Sequence, residues 1–368
     1  MGHTTGVLVI GGGPGGLATA IAARKKGFSV TVADGAKPPI HKACGEGLLP
    51  GTLAALRALG ISIQAGDGRI FRRIRFIDGT TSVAASFDGE SGVGMRRTGL
   101  HQKMVERAEE CGVELLWNSP VTGIFMDGAV LGTKVIQAKW IIGADGVHSR
   151  VRRWSGLDAG AHREIRFAQR RHYRMKSWAD CVDVYWGQKM QVYVTPLANE
   201  ETCVVLISRD PSMRFEEAFM EFPGLSDCLL KAELSSVQQG RVTATFNLDR
   251  VCRGSIALVG DASGSVDAIT GEGLGLSFRQ ALALADALQT GELEKYQAAH
   301  RQLARWPHVM GRLLLLLDRS TVLRRRVLRA FAKDPGLFAR ILTAHVKETS
   351  PAFLAETSVR MGWRLIAA

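Results

Sequence analysis

The chain has 368 residues, 46% hydrophobic and 22% charged, a composition that fits a folded globular protein and excludes a disordered chain, a collagen and a bare coiled coil. Lysine and arginine total 47 against 35 aspartate and glutamate residues, so the formal net charge is +12. A basic protein attracts nucleotides, carboxylates, anionic membranes or nucleic acid, and the charge alone does not choose among them.

The start of the chain predicts a strand, a tight turn, a helix and a second strand. Residues 7–10 are all apolar, as expected for a buried parallel strand. Residues 11–16 form the turn, residues 17–26 suit a helix that Gly27 ends, and residues 30–32 form the next strand. Together these elements predict one βαβ unit.

The turn has the pattern G-x-G-x-x-G at Gly11, Gly13 and Gly16, with Pro14 inside it. Gly11 permits the tight turn, Gly13 lets a pyrophosphate approach the backbone, and Gly16 lets the helix pack on the strand. The phosphates are expected at the helix N-terminus, where free N–H groups favour negative charge. Asp34 ends the second strand, where it can accept hydrogen bonds from a ribose, and its charge disfavours NADP. This pattern predicts a site for FAD or NAD.

Several later elements follow from the apolar pattern. Helices are predicted at residues 52–59 and 100–110, strands at residues 140–142 and 256–259, and helices from residue 274 to the end. Residues 165–250 alternate between apolar and polar positions, which predicts an antiparallel sheet with one face covered.

Two aspartates follow the later apolar strands. Asp145 lies in the segment Ala-Asp-Gly-Val-His-Ser-Arg, and Asp261 lies in Gly-Asp-Ala, which is followed by Gly271, Gly273 and Leu274. An NAD dehydrogenase needs no such late pair. In this order and spacing, the glycine turn and these two segments resemble the superfamily of FAD-dependent monooxygenases and geranylgeranyl reductases, which has the p-hydroxybenzoate hydroxylase fold.

The resemblance implies an α/β protein with a three-layer, Rossmann-like FAD-binding domain, an inserted antiparallel β-sheet substrate domain and C-terminal helices. We predict a discontinuous FAD-binding domain at residues 1–70, 96–165 and 245–300. The β-rich substrate domain is expected at residues 71–95 and 166–244, and the helical region at residues 301–368.

The resemblance also implies which residues hold FAD. Gly11, Gly13, Pro14, Gly16 and Asp34 match the ADP-binding turn and its ribose acid, and Lys42 matches a basic contact to the pyrophosphate. Leu48 and Arg97 match further cofactor contacts. Asp145 matches the acid shared between FAD and the pyridine nucleotide, Asp261 matches the acid that holds the ribityl chain, and Gly271, Gly273 and Leu274 match the loop beside the flavin ring. A helix that begins near Leu274 would stabilise an anionic reduced flavin through its dipole.

The implied activity is that of a single-component monooxygenase. NADH or NADPH would reduce bound FAD, O2 would form a flavin C4a-(hydro)peroxide, and an aromatic or polyketide-like small molecule would be hydroxylated. The reductant is expected to bind transiently, because no second dinucleotide turn follows a strand. Residues 42–48 resemble instead the Cys-Gly turn of geranylgeranyl reductases, so a C=C reductase remains the alternative. A flavoprotein that only binds a partner or a membrane is a third interpretation.

Several side chains have two interpretations. Cys44 is either a catalytic proton donor beside the flavin or a small apolar filler in a turn. Glu46 is either an acid/base group or a solvated turn residue. The basic group at residues 170–174 predicts an anion-binding role for at least one member. The aromatic residues of the β-rich part line a substrate pocket or belong to the core, and they are Tyr173, Tyr185, Trp186 and Tyr193.

The six cysteines form no CxxC pair, which predicts reduced thiols in a cytoplasmic protein and no metal site. Residues 313–329 form a basic amphipathic stretch. Its apolar positions at helical spacing are Leu316, Leu323, Val327 and Phe331, and its arginines are Arg324, Arg325, Arg326 and Arg329. The stretch predicts either a packing helix with a solvated face or a peripheral contact with an anionic membrane or with an acidic carrier protein that holds the substrate. No nucleic-acid recognition module is visible, and no oligomeric state is predicted.

Overall fold

The computed structural model describes residues 3–158, 164–347 and 350–366. The strands are β1 (His3–Ile10), β2 (Val30–Ala33), β3 (Gly47–Leu48), β4 (Arg69–Phe71), β5 (Arg73–Asp78), β6 (Thr81–Ser86), β7 (Gly92–Gly94), β8 (Glu114–Leu116), β9 (Val121–Phe125), β10 (Gly128–Leu131), β11 (Lys134–Gly143), β12 (Glu164–Arg174), β13 (Cys181–Trp186), β14 (Met190–Pro196), β15 (Glu201–Ser208), β16 (Glu233–Leu234), β17 (Gln239–Asn247), β18 (Cys252–Arg253), β19 (Ile256–Leu258) and β20 (Gly264–Ser265).

The helices are α1 (Pro14–Lys25), α2 (Pro50–Leu59), α3 (Arg97–Glu110), α4 (Arg150–Trp154), α5 (Phe215–Met220), α6 (Pro223–Leu229), α7 (Gly273–Thr290), α8 (Leu293–Arg319), α9 (Thr321–Lys333), α10 (Pro335–Val346) and α11 (Pro351–Ile366). Two 3₁₀ turns lie at Gly260–Ala262 and Ala268–Thr270.

The predicted βαβ unit forms the centre of a largely parallel sheet. Strand β1 pairs in parallel with β11 on one side and with β2 on the other. Strand β11 pairs in parallel with β19, and β2 pairs in parallel with β8. Residues 7–9 have no solvent exposure, because helices α1, α3 and α7 pack together over this part of the fold. Helix α1 begins at Pro14, three residues earlier than predicted, because proline suits the first turn, where its missing N–H costs no hydrogen bond.

A second, mostly antiparallel sheet has the strand order β20-β17-β12-β15-β14-β13-β5-β6, with β16 beside β12. Strands β5 and β6 come from the earlier part of the chain, and β5 pairs in parallel with β13. The predicted alternation is present in β12, where buried positions alternate with more exposed ones. In β13, β14 and β15 the prediction of one uncovered face is wrong, because nearly every position is buried. Side chains of α5 and α6 pack against β14 and β15, and side chains of α8 pack near β13. A small third sheet, in the order β3-β7-β4, lies where the chain passes between the two large sheets.

Helices α7 to α11 follow the sheets, as predicted for the chain after residue 274. The interpretation of residues 313–329 as one packing helix is wrong. Helix α8 ends at Arg319, Ser320 takes an extended backbone, and its hydroxyl caps α9 by accepting a hydrogen bond from the Leu323 N–H. Serine is a preferred N-cap because its oxygen satisfies a free donor of the first turn.

The break in the helix changes the predicted division between packed and solvated side chains. Arg324, predicted on the solvated face, is buried, and its Nε donates to Asp78 Oδ2 at 2.9 Å. Leu316, predicted on the packed face, is 49% exposed. Arg325, Arg326 and Arg329 remain exposed on α9.

The fold class is confirmed as α/β, with a Rossmann-like, largely parallel sheet, an antiparallel sheet and C-terminal helices. Among the described helices, none combines the length and the hydropathy that a bilayer-crossing segment needs.

Candidate functional site

A cavity of about 1260 Å³ is lined by residues of both large sheets and of the C-terminal helices. Most of the site residues predicted from the sequence line this cavity, namely Gly11, Gly13, Pro14, Asp34, Lys42, Cys44, Arg97, Asp145, Asp261, Gly271, Gly273 and Leu274. Segments far apart in the chain therefore meet at one site. Gly16 and Leu48 are not among the lining residues, and both are buried.

The glycine turn between β1 and α1 has no room for a side chain at Gly11 or Gly16 and is open at Gly13. A Cβ on Gly11 would lie 2.5 Å from the Ala144 carbonyl oxygen, and its φ of +112° also disfavours other residues. A Cβ on Gly16 would lie 1.8 Å from the Gly11 carbonyl oxygen. A Cβ on Gly13 would meet no protein atom within 4 Å, so the space next to Gly13 belongs to the cavity.

Asp34, at the end of β2, stabilises the turn. Its Oδ2 accepts a hydrogen bond of 2.6 Å from the Gly12 N–H, and its Oδ1 accepts one of 2.7 Å from the Ala36 N–H. On the other side of the turn, His101 Nε2 lies 2.8 Å from the Gly12 carbonyl oxygen, which can only accept, so Nε2 carries the proton. Burial lowers the pKa of His101 and keeps the ring neutral. Sequence analysis missed His101, although it directly follows Leu100 of α3.

The two later aspartates have different partners. Asp145 Oδ2 accepts hydrogen bonds of 2.6 Å and 3.2 Å from the N–H groups of Arg150 and Val151, so this carboxylate caps the N-terminus of α4. Asp261 Oδ2 accepts from Lys42 Nζ at 3.2 Å and from Arg241 Nη2 at 2.8 Å. Arg241 lines the cavity but carried no sequence signal, because it lies on β17 outside any motif.

Gly271 and Gly273 connect a 3₁₀ turn to the N-terminus of α7. Gly271 has a φ of +67°, and a Cβ on Gly273 would meet no protein atom within 4 Å. The N-terminus of α7 therefore faces the cavity with little side-chain material in front of it. Together with α1, it gives the cavity two helix N-termini, each of which favours negative charge.

A buried chain of polar side chains holds this 3₁₀ turn in place. Asp267 Oδ1 accepts from the Ile269 N–H at 2.9 Å and from Arg166 Nη1 at 2.9 Å, and both side chains of the ion pair are fully buried. Arg166 also donates to Gln191, Gln191 donates to Asp318 on α8, and His345 of α10 donates through Nε2 to the Thr270 carbonyl oxygen at 2.8 Å. The turn beside α7 is therefore linked to the C-terminal helices.

A second buried network surrounds Glu46, so the interpretation of Glu46 as a solvated turn residue is wrong. Its carboxylate accepts from Arg170 Nη1 at 3.0 Å and from the Arg97 N–H at 3.1 Å, and it lies 2.7 Å from His172 Nε2. Arg170 and His172 of the predicted basic group thus contact a carboxylate of the protein itself. Binding of a ligand anion by this group stays a prediction. Glu46, His172 and Cys203 lie close enough to bind a metal ion, but Arg170 already balances the carboxylate charge.

A family model described as "FAD binding domain" matches residues 4–304. The chain belongs to this FAD-binding family. It is 26% identical to the "Probable 2-heptyl-3-hydroxy-4(1H)-quinolone synthase" of Rhodococcus erythropolis, over 93% of this chain and 95% of that protein. It is 28% identical to digeranylgeranylglycerophospholipid reductase 1 of Methanococcoides burtonii, over 73% of this chain and 70% of that protein.

Solved structures show the same fold. A flavoprotein/dehydrogenase of Cytophaga hutchinsonii superposes with a TM-score of 0.80 at 20% sequence identity, covering 93% of this chain and 92% of that one. The family and its named relatives make this protein an FAD-dependent oxidoreductase.

The cavity fits FAD on its own geometry. The open space at Gly13 lies where α1 begins, so a diphosphate there would meet free backbone N–H groups. Arg97 lines the same cavity, and its buried Nε has no hydrogen-bond partner among the described residues. A ligand acceptor would remove the cost of that unsatisfied donor.

Cys44 lines the cavity and is half-buried. Burial raises the pKa of Cys44, with Arg97 acting in the opposite direction. A raised pKa means that the sulfur keeps its proton at neutral pH. This thiol can therefore donate a hydrogen bond or a proton but is a poor nucleophile.

The aromatic residues of the β-rich part divide between the two interpretations. Tyr193 lines the cavity, and burial raises the pKa of its hydroxyl. Tyr173 and Trp186 are buried in side-chain clusters of the core, and Tyr185 packs against Phe222. Substrate contact is therefore open to Tyr193, and packing accounts for the others.

Proposed function

We propose that the protein is a single-component, NAD(P)H-dependent FAD monooxygenase that hydroxylates an aromatic or polyketide-like small molecule. The observation that carries the proposal is the size of this cavity, about 1260 Å³, which is larger than the range of about 300–1,000 Å³ usual for a site that holds one small ligand. A site of this size has room for FAD and for a second molecule beside it.

At the cofactor end, each polar element has a role that follows from its chemistry. The N-terminus of α1 and Gly13 would bind the diphosphate, with Lys42 and Arg241 supplying positive charge beside Asp261. Asp34 would accept from a ribose hydroxyl. Gly271, Gly273 and the N-terminus of α7 would lie against the flavin ring and stabilise negative charge that develops on it. When bound, FAD supplies the redox chemistry, and the protein supplies position and electrostatics.

At the other end, the wall is apolar. It is built by side chains of the antiparallel sheet and of the C-terminal helices, including Phe76, Val184, Leu317, Phe331 and Phe338. An apolar wall excludes water from the reacting ring and binds a substrate by its hydrophobic surface. Tyr193 gives this part a hydroxyl group that can orient a polar substituent.

The test is oxygen-dependent turnover of the purified holoprotein. We expect a phenol or a 2-alkyl-4-quinolone to stimulate consumption of NADH or NADPH and to gain one oxygen atom, detected by mass spectrometry. A Gly13→Ala variant, which fills the space beside the α1 N-terminus, is the matched control and should show less stimulation at limiting FAD concentration. If no aromatic compound accelerates NAD(P)H oxidation above the substrate-free rate, the proposal fails.

A C=C reductase is the second candidate. Two observations favour it: the similarity to the reductase of Methanococcoides burtonii, and the protonated Cys44 thiol in the cavity wall. A reductase turns over without O2, whereas a monooxygenase does not. For a reductase that uses this thiol as proton donor, Cys44→Ala should reduce anaerobic turnover by at least roughly 100-fold, as expected for loss of a general acid. Cys228→Ala, at an exposed site, should leave it unchanged.

A further inference from the structure

The cavity wall contributed by α8 includes exposed aliphatic side chains. Val309, Leu313 and Leu316 line the cavity and are also 38%, 49% and 49% exposed. Their spacing of four and three residues places them on one face of the helix. The α8 wall of the cavity therefore exposes aliphatic side chains to water, an unfavourable arrangement unless something covers them.

The exposed charged side chains of α8 and α9 after residue 298 are all basic. Between residues 298 and 333 the sequence has a single acidic residue, Asp318, which is buried and paired with Arg209. The exposed cations of this segment are Arg301, Arg305, Arg312, Arg319, Arg325, Arg326, Arg329 and Lys333. Arg319 pairs with Glu164 of β12. We call the exposed residues of α8 and α9 in this segment the α8–α9 face.

Helix α11 adds aromatic and aliphatic surface next to the same cavity. Leu354 and Met361 line the cavity, while Val359 and Trp363 of this helix are 63% and 73% exposed. On α9, Val322 is 68% exposed. Exposed tryptophan and aliphatic side chains combined with arginine are the composition of a surface that lies in a lipid headgroup layer.

We propose that the α8–α9 face, together with α11, docks on an anionic lipid bilayer, so that an apolar substrate passes from the bilayer along the exposed α8 wall into the cavity. The substrate part of this inference rests on the proposed function, and the docking part does not. An acidic carrier protein would also match the arginines. The bilayer is favoured because it covers the exposed leucines of α8 as well.

Flotation of the purified FAD-bound protein with lipid vesicles tests the docking. The protein should float with vesicles that contain phosphatidylglycerol and remain at the bottom with phosphatidylcholine alone. Arg325→Gln combined with Arg326→Gln should weaken binding by roughly 30-fold, since each arginine near an anionic surface contributes about a factor of five. Trp363→Ser should weaken the binding that remains at high salt.

The matched control is Arg57→Gln combined with Arg69→Gln, two exposed arginines on α2 and β4, which should float like the parent protein. The proposal is overturned if the protein does not float with anionic vesicles or floats equally with neutral ones. It is also overturned if the control variant floats as weakly as the Arg325→Gln/Arg326→Gln variant. Binding of the protein to an immobilised acidic acyl carrier protein, without binding to vesicles, also overturns the proposal and indicates a protein partner instead. Because flotation needs no turnover, its outcome is separate from that of the oxygen-dependence test.

Discussion

Replacing Gly13 with alanine is expected to remove most of the FAD affinity while the protein stays folded. The new methyl group meets no protein atom within 4 Å, so it enters only the space that the cavity offers to a ligand at the N-terminus of α1. Crowding of a filled site costs about 1–3 kcal/mol, which corresponds to a loss of roughly 5- to 150-fold in affinity. Titration of the flavin-free protein with FAD, followed by flavin fluorescence, measures this loss.

Two further alanine variants show whether the loss comes from the ligand site. Gly224→Ala on α6 adds the same methyl group, also without a protein contact within 4 Å, and should bind FAD normally. Gly16→Ala forces a Cβ against the Gly11 carbonyl oxygen, so it should lower thermal stability as well as affinity. For Gly13→Ala, the free energy of unfolding should change by less than about 1 kcal/mol, which is the size of a helix N-cap effect. Unaltered FAD affinity in Gly13→Ala would contradict the assignment.

Asp267→Ala is expected to destabilise the protein by about 3–5 kcal/mol, because it leaves Arg166 charged and unpaired in the interior. The Arg166–Asp267 pair is fully buried, and Asp267 also accepts from the Ile269 N–H of the 3₁₀ turn beside α7. Loss of this contact should also weaken FAD binding, since the turn leads into Gly271 and Gly273. Urea unfolding of the flavin-free protein measures the stability, and FAD titration measures the second effect.

The control for this variant is Asp180→Ala, which removes the exposed Arg73–Asp180 pair. This variant should lower the free energy of unfolding by less than about 1 kcal/mol, because an exposed ion pair contributes little to stability. A double replacement, Asp267→Leu with Arg166→Met, should recover much of the lost stability, because a buried ion pair can often be replaced by apolar packing. If Asp267→Ala is no more destabilising than Asp180→Ala, the buried pair does not hold the turn.

The parts of the fold that the sequence predicts best depend on neighbours in the chain. The unit β1–α1–β2 was predictable because its apolar strand, glycine turn and terminal Asp34 lie within one short segment. The convergence of Asp145 and Asp261 on that turn is a long-range property, and the resemblance to a known family supplied it. Periodicity alone would have given separate strands with no common site.

The features that sequence analysis missed depend on partners far away in the chain. Arg170 and His172 reach Glu46 across more than 120 positions of sequence, and no local pattern encodes that approach. Arg241 and His101 likewise act on the site through tertiary contacts. The break at Ser320 had a local signal, since serine before a helical run is a favoured N-cap. The heptad-like spacing of leucines on either side of Ser320 concealed that signal.

The central claim is that the glycine turn, the segment at Asp261 and the start of α7 line one cavity that holds one FAD. The most direct measurement is the visible absorption spectrum of the purified protein, with FAD titration of any flavin-free fraction. The account predicts a yellow protein that binds one FAD per chain. A folded protein that is colourless and takes up no added FAD would contradict it.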